Sequence, residues 1–212
     1  MPEILKISKG IPEEEIINAA ASIIARGGVI AYPTETFYGL GADATNPEAV
    51  RKIFAVKGRN FQNPVSVIIG RLENLDGLVA AIPESARKLM EAFWPGALTI
   101  VFAAKPAVSP LLTADSGKIG VRLSSHPGAL RLAQKLGRPI TATSANLSGA
   151  PECASAEAAA AQLGNLVDAI LDLGPTSGAI GSTFIDVTTD PPAILREGVI
   201  SKAAIASVID LS

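Results

Sequence analysis

Apolar positions along the chain recur with two alternating periods. Between Pro12 and Gly28 they fall at Ile16, Ile17, Ala20, Ile23 and Ile24, one stripe of a helix. Pro12 suits a first turn. Glu13, Glu14 and Glu15 sit near the positive end of the helix dipole, and Gly27 and Gly28 end the segment. The run GVIAYPT that follows is apolar enough for a buried strand. A second helix is predicted from Asn46 as cap, with Pro47 in its first position and Glu48 behind it, running into KGR. VSVII (65–69) predicts a strand, and PESARKLMEAF a helix that breaks at WPG. LTIVFAA and IGVRL predict strands, PGALRLAQKLG a helix, and PITATSANLSG a strand opening into a loop. AEAAAAQLG reads as helix, VDAILDL and STFIDVT as strands, and KAAIASVI as a closing helix.

This alternation predicts a layered α/β fold. Strands follow one another more closely toward the C-terminus, so the sheet should be mixed. There is no internal repeat and no Pro- or Ser-rich linker, which predicts one domain over residues 1–212. With 48% hydrophobic and 18% charged residues, the chain can bury a full core. The net charge of -2 gives no support to a strongly basic nucleic-acid binder, although a local basic groove fits inside a neutral total. Cys153 is the single cysteine, which excludes an internal disulfide and a cysteine metal cluster. The start MPEILKISKG has no hydrophobic signal region, and no apolar run is long enough to span a bilayer. The expectation is a soluble, cytoplasmic protein.

The stretch YPTETFYGLGADATNP (32–47) interrupts the apolar pattern. Its Gly39, Gly41 and Ala44 match G-x-G-x-x-A, but six residues separate the strand run from the first glycine and the helix waits for Asn46. A dinucleotide fold needs the glycine directly after the strand and a helix starting within the motif. No P-loop pattern is present. His126, the only histidine, precedes a helix-starting proline, a place more typical of a cap or surface residue than of a catalytic base. Zinc held by His or Cys is unsupported, while Mg²⁺ needs only one or two protein oxygens beside substrate phosphates. Lys57 and Arg59 either suit the helix dipole or meet an anion. TATSAN (141–146) reads equally as a capped turn or as a ligand cradle at a strand end. Ser182, Thr183 and Arg196 lie beside apolar strands. Arg122 falls inside a strand pattern, where an arginine is costly unless paired or facing a groove. Together these residues point to a phosphate-bearing small molecule in a polar cleft.

PTETFYGLGADA, KGR, GVRLSSHP, TATSANLSG, STFIDVT and ILREG occur in that order. In this the chain resembles the YrdC-like family, the L-threonylcarbamoyladenylate synthases of tRNA modification, over a core of about residues 12–200. It looks like the family's short form, without the C-terminal domain of longer relatives. The K-x-R and S-x-N signature corresponds to Lys57, Arg59, Ser144 and Asn146. The resemblance implies a twisted mixed sheet with flanking helices around a concave groove. It implies a nucleotidyltransferase that makes threonylcarbamoyl-AMP and pyrophosphate from L-threonine, bicarbonate or CO₂, and ATP with Mg²⁺. A downstream transferase complex then modifies adenosine 37 of tRNAs reading ANN codons. Carried over residue by residue, Thr36, Arg122, Ala142 (through its backbone) and Ser182 fall at the threonine. Lys57, Arg59, Asn63, Lys118, Ser144, Asn146 and Arg196 fall at the ATP. Gly39 and Gly41 are expected to give the 32–47 loop its turning freedom, with Glu35 and Asp43 orienting it.

Two positions depart from the family pattern. Asn60 stands where proline usually follows K-x-R, and Ile68 stands where some relatives carry a histidine. Three rivals accompany the resemblance. One is a double-stranded-RNA-binding module using a basic concave surface. Another is a carbamoyl-adenylate-forming domain, normally set in a much larger chain with zinc-finger-like cysteines. The third is a divergent paralogue without synthase activity, a group that tends to lose the S-x-N kept here as Ser144 and Asn146.

Overall fold

The computed structural model describes residues 2–6 and 12–212. Its strands are β1 (Glu3–Lys6), β2 (Ile30–Pro33), β3 (Tyr38–Gly41), β4 (Val67–Ile68), β5 (Leu98–Ala103), β6 (Lys118–Arg122), β7 (Ile140–Thr141), β8 (Thr143–Ser144), β9 (Ala169–Asp172), β10 (Thr183–Asp186) and β11 (Ala193–Arg196). The helices are α1 (Glu13–Ala25), α2 (Pro47–Lys57), α3 (Glu84–Phe93), α4 (Pro110–Thr113), α5 (Pro127–Leu136), α6 (Ala156–Leu163) and α7 (Lys202–Ala206).

The expected mixed sheet is divided in two, in the orders β1-β9-β2-β3-β8 and β11-β10-β5-β6-β4-β7. Both mix parallel and antiparallel pairs. They meet at residues 139–144, where β7 belongs to one sheet and β8 to the other. An isolated antiparallel bridge between Asp43 and Ile140 extends β3 onto β7. Thr141 donates to the Ala42 carbonyl and Ala44 to that of Pro139, both at 3.0 Å.

The helix punctuation follows the sequence. The Asn46 side chain accepts from the amides of Glu48 and Ala49, and Gly58 closes α2 in the left-handed conformation at φ 58°. Pro12 takes the N-cap position of α1 and not its first turn. Ile16, Ala20 and Ile24 of α1 meet Leu132 and Ala133 of α5 over the junction of the sheets, against Tyr32, Ile68, Ile140 and Leu171. Ile68 is thus a fully buried packing residue. Two further cores flank this one. Ala49, Ile53 and Leu163 pack behind the smaller sheet, and Leu89, Leu98, Phe102 and Ile119 pack behind the larger.

The chain from Tyr32 to Pro47 is not one long loop. β2 and β3 form an antiparallel hairpin, Tyr32 opposite Gly39 and Pro33 opposite Tyr38, closed by residues 34–37. The Thr34 hydroxyl caps this turn by donating to the Phe37 carbonyl at 2.7 Å. Gly39 and Gly41 therefore act by space and not by turning: neither has a positive φ. A Cβ at Gly41 would lie 2.9 Å from the Tyr32 ring, and one at Gly39 3.3 Å from it. The fully buried Tyr32 ring fills the room that two side chains would take, and its hydroxyl donates to the Thr141 carbonyl at 3.0 Å. Asp43 does orient its surroundings, accepting from Thr45 and pairing with Arg138.

Candidate active site

The concave faces of the two sheets enclose a cleft of about 610 Å³. It is lined by Thr36, Lys57, Arg59, Lys118, Arg122, Ala142, Ser144, Asn146, Ser182 and Arg196, so every predicted site residue except Asn63 reaches one cavity. Asn63 is exposed on the 60–64 loop, and its side chain lies 3.5 Å from the Asn60 carbonyl. Asn60, the departure from proline, accepts from the Gln62 amide at 2.9 Å and so stiffens this loop by another route.

The five cations of the cleft are held differently. Lys57, 5% exposed at the end of α2, gives its ammonium to the carbonyls of Ser144 (2.6 Å) and Asn146 (3.0 Å) and to Asn146 Oδ1 (3.0 Å). Its three donors are therefore spent on the 144–146 segment. Burial, and then the neighbouring Arg59, pull its pKa down to about 8. The same Oδ1 accepts from the Ser144 hydroxyl at 2.6 Å, and the Asn146 amide donates to the Ala150 carbonyl. The signature tetrad is thus a bonded unit of three residues with Arg59 beside it. Arg59 is half-buried and takes part in none of the ion pairs among the described residues.

Lys118 pairs with Asp186 at 2.8 Å. Burial alone would raise the Asp186 pKa, but hydrogen bonds from Lys118 and Thr188 outweigh it and hold the carboxyl below its usual range. Arg196 donates to the Ser182 carbonyl at 2.8 and 3.2 Å and lies 4.5 Å from the centre of the Phe184 ring. Arg122 is 6% exposed and, among the described residues, has only Glu35 for an ion-pair partner, at 3.6 Å.

Hydroxyls cluster on the same walls. The Thr34 and Thr36 hydroxyls are 3.1 Å apart in the hairpin turn, and those of Thr99 and Ser182 are 3.2 Å apart between β5 and the start of β10. Ala142 lines the cleft, but its amide is committed to the Ser66 carbonyl at 2.7 Å and its carbonyl accepts from the Ser66 hydroxyl. The backbone contact expected of Ala142 is left with a carbonyl lone pair and no donor. Thr34, Ser66 and Thr99 were missed in the sequence. A polar residue at the head of LTIVFAA was the available signal for Thr99. His126 lies outside the cleft lining and caps α5, its Nδ1 accepting from the Gly128 amide at 3.1 Å.

A two-sheet α/β fold that gathers cations and hydroxyls at one cleft offers the chemistry that suits small anionic, hydroxyl-bearing ligands. Residues 22–198 match the Sua5/YciO/YrdC family, described as telomere recombination, and the chain belongs to that family. It is 44% identical over 194 residues to the threonylcarbamoyl-AMP synthase of Bacillus subtilis, covering 91% of this chain and 56% of that protein. The threonylcarbamoyl-AMP synthase of Photobacterium profundum is 37% identical over 86% of this chain and 98% of its own length. The crystal structure of P. abyssi Sua5 complexed with L-threonine superposes with a TM-score of 0.93 at 40% identity, covering 97% of this chain and 60% of that one. The chain thus spans little more than half of the longer relatives and nearly all of a shorter one. No helix among the described residues is long and apolar enough to cross a membrane.

Proposed function

We propose that this chain is an L-threonylcarbamoyladenylate synthase, forming threonylcarbamoyl-AMP and pyrophosphate from L-threonine, CO₂ or bicarbonate, and ATP. The observation that carries this reading is Arg122. Its buried guanidinium, with no hydrogen-bond partner at Nε among the described residues, shares one cleft with Arg59, Lys118 and Arg196. Arg122 offers a carboxylate site, and the threonine and serine hydroxyls nearby suit a hydroxylated side chain. Arg59, Lys118 and Arg196 suit phosphate.

In this reaction the neutral amine of threonine attacks CO₂ and gives up a proton to water, leaving a carbamate. A carbamate oxygen then attacks the α-phosphorus of ATP in line, and pyrophosphate departs. Negative charge builds on phosphate oxygens, where fixed cations stabilise it, and the pocket holds the nucleophile in place. No covalent enzyme intermediate is needed. Magnesium suits the reaction as the partner of ATP. Among the described residues no group of three or more His, Cys, Asp or Glu side chains could hold a metal, so its ligands would be mainly phosphate and water. Glu152 and Asp186 are the carboxylates on the cleft wall, and Asp186 is already taken by Lys118 and Thr188. The product is a mixed anhydride, to be consumed by a threonylcarbamoyl transferase acting on tRNA. Incubation with ATP, Mg²⁺, threonine and bicarbonate should yield threonylcarbamoyl-AMP by mass spectrometry, dependent on all three substrates. ATP consumption without that product would overturn the assignment.

A further inference from the structure

Glu35 sits between Thr34 and Thr36 in the hairpin turn, yet those two line the cleft and Glu35 does not. The turn is anchored by Ser177, whose hydroxyl donates to the Glu35 carbonyl at 3.0 Å, and by the Gly178 amide, which donates to the Thr36 carbonyl at 3.0 Å. The Glu35 carboxylate faces away from the cavity, toward β6. Its Oε2 accepts from the Ser124 hydroxyl. Ser124 is fully buried, and its oxygen in turn accepts from the His126 amide at 3.2 Å, at the entry to α5. One carboxylate oxygen is therefore held by Ser124, itself fixed by the backbone before α5.

The other oxygen is not satisfied. Glu35 Oε1 lies 3.6 Å from Arg122 Nε, and both atoms are sealed from solvent without a hydrogen-bond partner among the described residues. That distance is too long for a hydrogen bond. Burying two opposite charges side by side without the directional bond carries the desolvation cost and only part of the return. Because Nε is sealed, the remainder of the Arg122 side chain is what reaches the cleft. The guanidinium thus lies between a fixed carboxylate behind it and the cavity in front.

We propose that Glu35 is a positioning residue that holds the Arg122 guanidinium edge-on for the carboxylate of the amino-acid substrate. This rests on the reading of the cleft as a threonine site. Glu35 balances the buried charge of Arg122 in the empty cleft and fixes the plane of the fork. A substrate carboxylate on the cleft side completes a carboxylate–guanidinium–carboxylate sandwich and draws Nε–H onto Oε1. Glu35 touches no substrate atom. Its effect passes through Arg122 and is confined to ligands that carry a carboxylate.

The test compares the full chain with Glu35→Gln, which keeps the size and an oxygen for Ser124 but removes the charge. Binding of L-threonine and of L-threoninamide is measured by calorimetry without ATP, and KM for threonine and ATP by pyrophosphate release. The expected result is a roughly 10–100-fold weaker binding of threonine and a matching rise in its KM. Threoninamide binding and KM for ATP should be nearly unchanged, while the melting temperature falls because Arg122 loses the charge that balances it. Unchanged threonine binding in Glu35→Gln would overturn the proposal, as would an equal loss for threonine, threoninamide and ATP, which marks a merely structural role. If Glu35→Gln does not fold, Glu35→Asp carries the test, since it keeps the charge and shortens the reach. A loss confined to threonine supports the proposal, and none overturns it. Failure of the unaltered protein to bind threonine is a separate outcome, which removes the substrate reading itself.

Discussion

Lys57 and Arg59 stand two residues apart and do different work. The sequence presents them as a pair of cations at a helix end, where either could serve the dipole or a phosphate. The folded chain commits all three Lys57 donors to residues 144–146. Those partners lie 87 and 89 residues away, and nothing in the local pattern announces them. Arg59 makes no ion pair among the described residues, and the proposed function assigns its fork to the ATP phosphates. Arg59→Ala should therefore lower kcat/KM for ATP by about 100-fold, about 2.7 kcal/mol, with the melting temperature little changed. Arg59→Lys should recover only part, because a point charge does not reproduce the fork. Near-normal kinetics in a folded Arg59→Ala protein would reduce Arg59 to a dipole partner worth about 0.3–1 kcal/mol. Arg122 was the most legible residue of the cleft lining, since an arginine inside an apolar strand demands an explanation. Glu35 was visible only as a neighbour of Thr36, because its partners on β6 and before α5 come from distant sequence.

Elements with strong periodicity and caps were read almost to the residue: α2 from Asn46, α5 from Pro127, β5 from Leu98. Elements whose signal comes from a partner were not. β3 looked like a loop because Gly39 and Gly41 weaken a strand on their own. Their reason is the Tyr32 ring across the hairpin. The short β1 and β11 depend on pairing with β9 and β10 in the same way. The α5 cap gives a pH signature. Neutral His126 Nδ1 accepts the Gly128 amide, and burial pushes the imidazole pKa below its usual 6.5. The unfolded chain then binds a proton that the folded chain resists. Stability should fall as pH drops below about 6.5 and level off once the folded pKa is passed. His126→Asn keeps a capping side chain, so thermal melts across this range should lose that histidine-linked component. Turnover should stay within a few fold of the parent. A loss on the order of 10³ would return His126 to the chemistry.

For the whole molecule, the α/β class, the mixed strand directions and the concave groove followed from alternation and resemblance. The split into two sheets did not, because it is decided by which strands pair and not by where they lie. Substrate choice belongs to this scale. Thr36 comes from the smaller sheet's hairpin, whereas Thr99 lies on β5 of the larger sheet and Ser182 just before β10, so the two sides each contribute hydroxyls to the one cleft. Threonine should support pyrophosphate release better than valine, its near-isostere, by about 10⁴-fold, the discrimination expected of a site that hydrogen-bonds a hydroxyl. Equal rates with the two amino acids would remove threonine from the assignment. The five residues from Ile140 to Ser144 stitch one sheet to the other and supply part of the cleft wall as they pass. The chain also crosses between the sheets after β3 and after β9, so neither sheet is one contiguous piece of sequence. A single cut at any of the three crossings divides at least one sheet, so no one crossover separates the two lips of the cleft cleanly.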